Sequence, residues 1–282
     1  VKTVGIVTCR PLPEPDVDEA LLFDALKAAG LSPGLLPWND AEADPGLFDV
    51  CILRSCWDYH LVPAQFLAWA ERAATRSRLI NPINVVRWNL HKGYLRELEA
   101  AGVPVVPTAW IDRAVSADLA GLMEDRGWTD VVVKPAIGAG SYQTCRFDLP
   151  GARAAGCGFV EALTTRGDVM VQPFMTSVNT VGERALVWID GAFTHQVVKQ
   201  PRYHGQDEKV SGASTPNRTN LGIAEEALAC VGETLLYARV DLIEDRDGSA
   251  LVSELELIEP SLFLLQHPPA LERFVAAIAN LA

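Results

Sequence analysis

Residues 131–144, VVVKPAIGAGSYQT, begin as a run of valines, place a lysine at its end and pass directly into a glycine-containing loop. The run predicts a strand over residues 129–134, with Lys134 at its carboxyl end. Gly138, Gly140 and Ser141 then form a small loop whose backbone N–H groups can approach an anion, while Lys134 supplies the point charge that phosphate needs. The order is the reverse of a Walker loop, in which the lysine follows the glycines. Taken alone, the segment fits an ordinary strand and glycine turn equally well.

Further along, residues 238–260 read ARVDLIEDRDGSALVSELELIEP. Strict alternation predicts that Glu254 and Glu256 share one face of a strand, with Leu251, Ser253, Leu255 and Leu257 on the other. The turn at residues 245–248, DRDG, pairs this strand with a neighbour carrying Asp241. Three carboxylates converging on one sheet face are costly unless a cation pairs them. Hard oxygen ligands suit Mg²⁺, which takes one or two carboxylates together with substrate phosphates. The plainer reading is a solvent-facing strand edge. Asp241's place inside an apolar strand speaks against it.

Residues 88–108, WNLHKGYLRELEAAGVPVVPT, predict an amphipathic helix opened by Lys92 and an extended, proline-limited segment behind it. A lysine at a helix start gains nothing from the macrodipole, and by itself it reads as a surface residue. Only six of the 24 basic residues are lysines, however, and Lys92, Lys134 and Lys199 all fall in the segments of interest. Where arginine carries most of the charge, a retained lysine suggests a need for a compact ammonium.

Ahead of these segments, strands at 4–8, 31–37, 48–53 and 78–80 alternate with helices at 18–29 and 63–75, which predicts a mostly parallel α/β lobe. It has no G-x-G-x-x-G after its first strand, which excludes the dinucleotide fingerprint. Behind them, a helix at 117–126, strand-like text from residue 169 onward, a helix at 223–237 and a last helix at 270–281 predict an α+β half with antiparallel strands. The 282 residues are 49% apolar and 21% charged, enough for a real core. A net charge of −12 without any Lys/Arg cluster argues against nucleic acid or membrane as partner. Scattered cysteines, no leader-like start and no long apolar run predict a reduced, cytoplasmic protein. The five histidines (His60, His91, His195, His204 and His267) show no metal-ligand spacing.

Together the segments resemble the ATP-grasp superfamily over residues 85–265. The likeness rests on GVPVVPT (102–108) after Lys92, the K-P strand with its glycine loop, VMVQPF (169–174), GERALV (182–187), and Asp241 followed by E-L-E (254–256). WDYH (57–60) and THQVVKQP (194–201) place it nearest the glutathione-synthetase-like branch. The resemblance implies an amino-terminal α/β lobe (1–87), a small subdomain with a linker helix (88–175) and a large subdomain (176–282), the last two clasping ATP. It assigns Lys92, Lys134 and the Gly138–Ser141 loop to the phosphates. Gln172, Pro173 and Phe174 fall in the adenine hinge, with the backbone of Val171 and Phe174 facing the base, and Glu183 faces the nucleotide. Lys199 would contact the transferred phosphate, and Asp241, Glu254 and Glu256 would hold Mg²⁺. The family's usual E-x-N is E-L-E here, which makes Glu259 the competitor of Glu256 as second ligand; strand parity favours Glu256. Arg239, two residues before Asp241, would stabilise a tetrahedral intermediate; pairing with Glu244 or Asp247 is its plainer role.

The implied activity is an ATP-dependent carboxylate–amine ligation through an acyl phosphate. Its substrate would be small and amino-acid-like, with the nucleophile on a second molecule or, in a ring closure, on the same one. A non-catalytic nucleotide- or ligand-binding protein is the rival, and a homodimer is left open. For the substrate, Arg54, Asp58 and Tyr59 follow the third strand, where α/β lobes bind ligands. Trp57 and Tyr59 fit equally as lobe packing. His195 shares its strand face with Val197 and Lys199 and is the one histidine expected near the cleft.

Overall fold

The computed structural model describes residues 1–201 and 209–281; His204 lies outside them. Three four-stranded sheets organise the chain. The first contains β1 (Thr3–Thr8), β2 (Ser32–Pro37), β3 (Val50–Ser55) and β4 (Arg78–Ile80), in the order β2-β1-β3-β4 and wholly parallel. Such sheets are buried on both faces, and β3 is buried at every position. The helices Glu19–Ala28 and Pro268–Leu281 pack on one face through Leu22, Leu26, Phe274 and Ile278, and Pro63–Arg76 packs on the other through Phe66, Ala70 and Ala73.

The second sheet, antiparallel, contains β5 (Ala109–Ile111), β6 (Asp130–Pro135), β7 (Cys145–Asp148) and β8 (Val169–Pro173), in the order β5-β8-β6-β7. The third, also antiparallel, contains β9 (Glu183–Ile189), β10 (Ala192–Lys199), β11 (Tyr237–Glu244) and β12 (Ala250–Glu256), in the order β10-β9-β11-β12. Its apolar face, with Leu186, Val240, Leu242, Val252 and Leu255, is covered by the helices Tyr94–Ala100 and Arg218–Ala229. The mixed α/β and α+β plan is the expected ATP-grasp architecture.

Several local expectations shift. The helix expected at 223–237 runs from Arg218 to Ala229, because Asn217 caps it by accepting from the Asn220 N–H at 2.8 Å. Gly232, at φ +67°, lies in the turn before Tyr237 begins β11. The helix after Lys92 starts only at Tyr94, and the Lys92 N–H instead donates to the Ala136 carbonyl at 2.8 Å. β7 and the helix Cys157–Thr164 had no clear periodic signal. Among the described residues, no helix is long and apolar enough to cross a membrane.

The first and third sheets are welded together by Asn81, which is wholly buried. Its Nδ2 donates to the carbonyls of Tyr237 (2.9 Å) and Leu257 (2.8 Å), and its Oδ1 accepts from the Leu236 N–H at 2.9 Å. Asn81→Ala strands three buried backbone groups at about 1–3 kcal/mol each. It is therefore expected to cost about 3 kcal/mol or more of unfolding free energy, measured by urea denaturation. A loss below about 1 kcal/mol would show that water replaces the amide.

Candidate functional site

Register alone gathers most of the site. On the second face of the third sheet Lys199 opposes Glu183, Asp241 opposes Glu254, and Arg239 opposes Glu256. Beside these residues the same face carries Ala185, Val187, Val197 and Tyr237, which belong to the core shared with the first sheet. The face is thus apolar where it is covered by the front lobe and charged where it emerges.

One detail of this face departs from strict alternation. Asp241 pairs with Glu254 but Leu242 pairs with Val252, so Ser253 is an extra residue in β12, a β-bulge. The bulge resets parity: Ala250 and Val252 join Leu255 and Leu257 in the apolar core, and Ser253 turns to the acidic side. Its hydroxyl contacts Glu183 and the Asp241 carbonyl, the latter at 3.0 Å. The expectation that Leu251 and Ser253 share the apolar face with Leu255 is corrected accordingly.

Each acid of the cluster has a cation. Asp241, 1% exposed, receives Arg239 Nε on one oxygen and Arg239 Nη2 on the other, both at 2.8 Å, and Lys199 Nζ lies 2.6 Å from the second. Lys199 also pairs with Glu183 at 2.9 Å, and Arg239 with Glu256. Lys92 reaches across from the linker to Glu254 at 2.6 Å and donates to the Gly138 carbonyl at 2.8 Å. Lys134, at the end of β6, has no hydrogen bond or ion pair to a described residue. Burial lowers its pKa, against the pull of Glu254 and with help from Lys92.

Among the described residues no three of His, Cys, Asp and Glu form a metal-holding group, so the expected trio does not converge on one point. The reason is electrostatic: Asp241 is drawn to Arg239 and Lys199, Glu254 to Lys92, and Glu256 to Arg239. The donors still suit a hard divalent cation. Glu254 and Glu256 lie on one face with side chains 27% and 22% exposed, and two carboxylates plus phosphate oxygens are a usual Mg²⁺ set. Glu256 is pushed up to about 7 by burial, with Glu254 and Asp241 adding to the shift against Arg239 and Lys199. An added cation relieves that excess of negative charge. Glu259, pushed up to about 8 by burial and then by Glu256, lies beside the Tyr59 hydroxyl.

These shifts set a pH dependence. An acid whose folded pKa is raised binds more protons folded than unfolded between the two values, so stability falls as pH rises through that window. The protein without nucleotide or metal is therefore expected to lose thermal stability between about pH 6.5 and 8, through Glu256 and Glu259. At lower pH His60, His91 and His195, whose pKa values are lowered by burial, act in the opposite sense. Asp241 and Glu254, whose pKa values are lowered, act in that same opposite sense and only at still lower pH. Melting curves from about pH 6.5 to 8 check this; a stability that rises across that range contradicts it.

On the side expected to face the nucleotide, Gly140, Ser141 and Gln143 all have left-handed backbone, at φ +57°, +59° and +49°, so the loop curls tightly after β6. The hinge differs from expectation. The Phe174 N–H is taken by the Asp130 carbonyl at 2.9 Å, and Val171 pairs with Ala109 on one side and Val133 on the other. Gln172 turns its amide to Thr108 Oγ1 at 2.9 Å. A recess of about 220 Å³ lies beside Pro173, Phe174, Met175 and Thr176.

The expected substrate residues do not reach the cluster as free groups. Arg54, 3% exposed, donates to the Pro260 carbonyl at 2.7 Å, and Asp58 accepts from Trp38 Nε1 (2.7 Å) and Asn39 Nδ2 (2.8 Å). Tyr59, 5% exposed, is committed to Glu259, and Trp57 Nε1 donates to the Glu259 carbonyl at 3.2 Å. All four tie the front lobe to itself or to residues 259–260. Asp58 also borders a recess of about 570 Å³ beside the helix Pro63–Arg76. Neither the three paired cations, Lys92, Lys199 and Arg239, nor Lys134 lines that recess, so charge rather than volume marks the site. His195 shares the face of Val197 and Lys199 but is 1% exposed and stacks on His267 at 4.8 Å. Burial and His267 push it down to about 4. It does not line the charged crevice.

Comparison with known proteins gives a consistent result. The family description "D-cycloserine synthetase DcsG, N-terminal domain" matches residues 4–81. The cycloserine biosynthesis protein DcsG of Streptomyces lavendulae is 33% identical over 283 residues, covering 94% of each chain. The crystal structure of D-cycloserine synthetase DcsG superposes with a TM-score of 0.89 and 32% identity, covering 99% of this chain and 100% of that one. A more distant likeness, in fold alone, is to the ATP-grasp ligase PsnB complexed with a phosphomimetic precursor variant, Mg and ADP. Its TM-score is 0.64 at 16% identity, with 100% of this chain and 99% of that one covered.

Proposed function

The chain belongs to the D-cycloserine synthetase DcsG family of ATP-grasp ligases, and from that premise we propose that it closes the ring of O-ureido-D-serine to D-cycloserine. It is an ATP-dependent ligase; the proposal concerns the substrate, the route and the residues. The observation that supports the route best is the gathering of Lys92, Lys199 and Arg239 with Asp241, Glu254 and Glu256 at one face of the third sheet, as the pair Lys92–Glu254 beside the linked pairs Lys199–Asp241, Arg239–Asp241 and Arg239–Glu256.

In the proposed route the substrate carboxylate attacks the γ-phosphorus of ATP, giving an acyl phosphate and ADP, and catalysis is mainly positioning and charge stabilisation. Lys92 and Lys134 hold phosphate oxygens beneath the Gly138–Ser141 loop, and Lys199 holds the transferred group. Glu254 and Glu256, with Asp241 behind them, would hold Mg²⁺, which supplies neutralisation of phosphate charge. The ureido nitrogen bonded to oxygen then attacks the acyl carbon and gives up its proton as phosphate leaves. Arg239, fixed by both oxygens of Asp241, stabilises the oxyanion of that tetrahedral step. Water removes the carbamoyl group on that nitrogen as carbamate, which breaks down to carbon dioxide and ammonia. No histidine is needed as general base. Met175 and Thr176, which border the recess beyond the hinge, are the proposed base contacts in place of Phe174. The proposed parts are 1–87, 88–175 and 176–282, one sheet in each.

The test is phosphate release from ATP across amino acids of both hands and their ureido and hydroxamate derivatives, with product mass read in parallel. Release with O-ureido-D-serine and a cyclic product supports the proposal. A linear product joining two molecules refutes the ring closure and points to a joining ligase. No release with any acid refutes the mechanism.

A further inference from the structure

The glycine loop after β6 is fastened to the front lobe rather than left over its own sheet. The Tyr142 ring meets the His60 ring with centroids 4.6 Å apart and planes at 54°. Ile137 and Ala139 pack against the front-lobe core that contains Cys56, Tyr59 and Phe66. Arg166 Nη1 donates to the Tyr142 hydroxyl at 3.4 Å. His60 is itself well placed: it sits in the single turn Tyr59–Leu61 after β3, beside Tyr59, whose ring lies 5.1 Å from that of Phe66.

From this contact we propose that His60 is a positioning residue which, through Tyr142, holds the glycine loop in the arrangement that closes over the triphosphate. The grip on ATP thereby depends on the front lobe. His60 Nδ1 is buried and makes no hydrogen bond to a described residue, so the ring acts by packing, and an aromatic ring without nitrogen should serve as well. Burial lowers its pKa, which keeps the imidazole neutral and unsuited to binding phosphate itself. The left-handed non-glycine residues Ser141 and Gln143 explain why an anchor is needed, since such backbone persists only when its surroundings over-determine it.

The nucleotide part of this inference rests on the ligase reading; the loop part does not. Hydrogen exchange of the full chain without nucleotide is compared for wild type, His60→Ala, His60→Phe and Tyr142→Ala. His60→Ala and Tyr142→Ala are expected to raise exchange in residues 135–144 about tenfold while the three sheets stay protected, and His60→Phe to restore protection. In turnover, His60→Ala should raise the KM for ATP about tenfold with kcat little changed, and release more phosphate per product as water reaches the acyl phosphate. Unchanged loop exchange in His60→Ala overturns the proposal, as does failure of His60→Phe to restore it. A wild type that releases no phosphate would sink the ligase reading and leave the exchange comparison standing.

Discussion

Replacing Lys134 with methionine is expected to lower turnover by at least about 10³-fold and to leave the protein as stable as before, or more so. The two effects have one cause. Lys134 is a cation that burial disfavours and that has no described hydrogen-bond or ion-pair partner, although Glu254 and Glu183 lie near enough to pull its pKa back up. In the proposed route it waits for phosphate, and without phosphate its charge is a cost that methionine, of similar length, removes. The sign with pH follows. A lysine whose folded pKa lies below the ordinary 10.5 destabilises the fold most below that folded value, and the penalty fades as pH rises towards the unfolded one. The advantage of Lys134→Met should therefore be largest near neutrality and shrink towards pH 10. Melting curves at both ends check the stability half, and phosphate release checks the other. Wild-type turnover in the variant, or a fold markedly weaker than wild type, removes Lys134 from the site.

The place of Lys134 at the end of a strand that runs into a glycine loop was legible in the sequence because its evidence is local, within fourteen consecutive residues. The pairing of Asp241 with Glu254 was legible for the same reason, since one hairpin connects them. Locality also marks where reading failed. Ser253 turns to the acidic side because β12 carries one more residue than β11 can pair, and nothing in S-E-L-E announces a bulge. Arg54, Asp58 and Tyr59 have the chemistry of substrate-binding groups and follow a strand end, yet Arg54 answers to Pro260 and Tyr59 to Glu259. Those partners lie about two hundred residues away, and only the docking of the front lobe on the third sheet brings them together. His195, whose strand parity was read correctly, is buried against His267. In each case the residue's own element was foreseen and its far partner was not.

Arg239 ties the two kinds of information together, and its replacement carries the second large effect. Arg239→Met is expected to lower turnover about 10²–10³-fold, the usual cost of one oxyanion donor. It is also expected to cost about 3–5 kcal/mol of stability, because Asp241 is left as a buried charge with one fewer partner. Asp241 is 1% exposed and would keep Lys199, which places the loss near the lower end of that range. The two losses separate in the double variant Arg239→Met/Asp241→Asn. Removing the stranded carboxylate should recover about 1–3 kcal/mol without recovering any turnover, since the guanidinium is what the oxyanion needs. Urea denaturation of wild type, both single variants and the double variant yields the coupling, and phosphate release on the same samples yields the rate. If the double variant were no more stable than Arg239→Met, burial of Asp241 would not be the source of the loss. Were it to regain turnover, the oxyanion would have another donor, and Lys199, which contacts the same carboxylate, would be the first place to look.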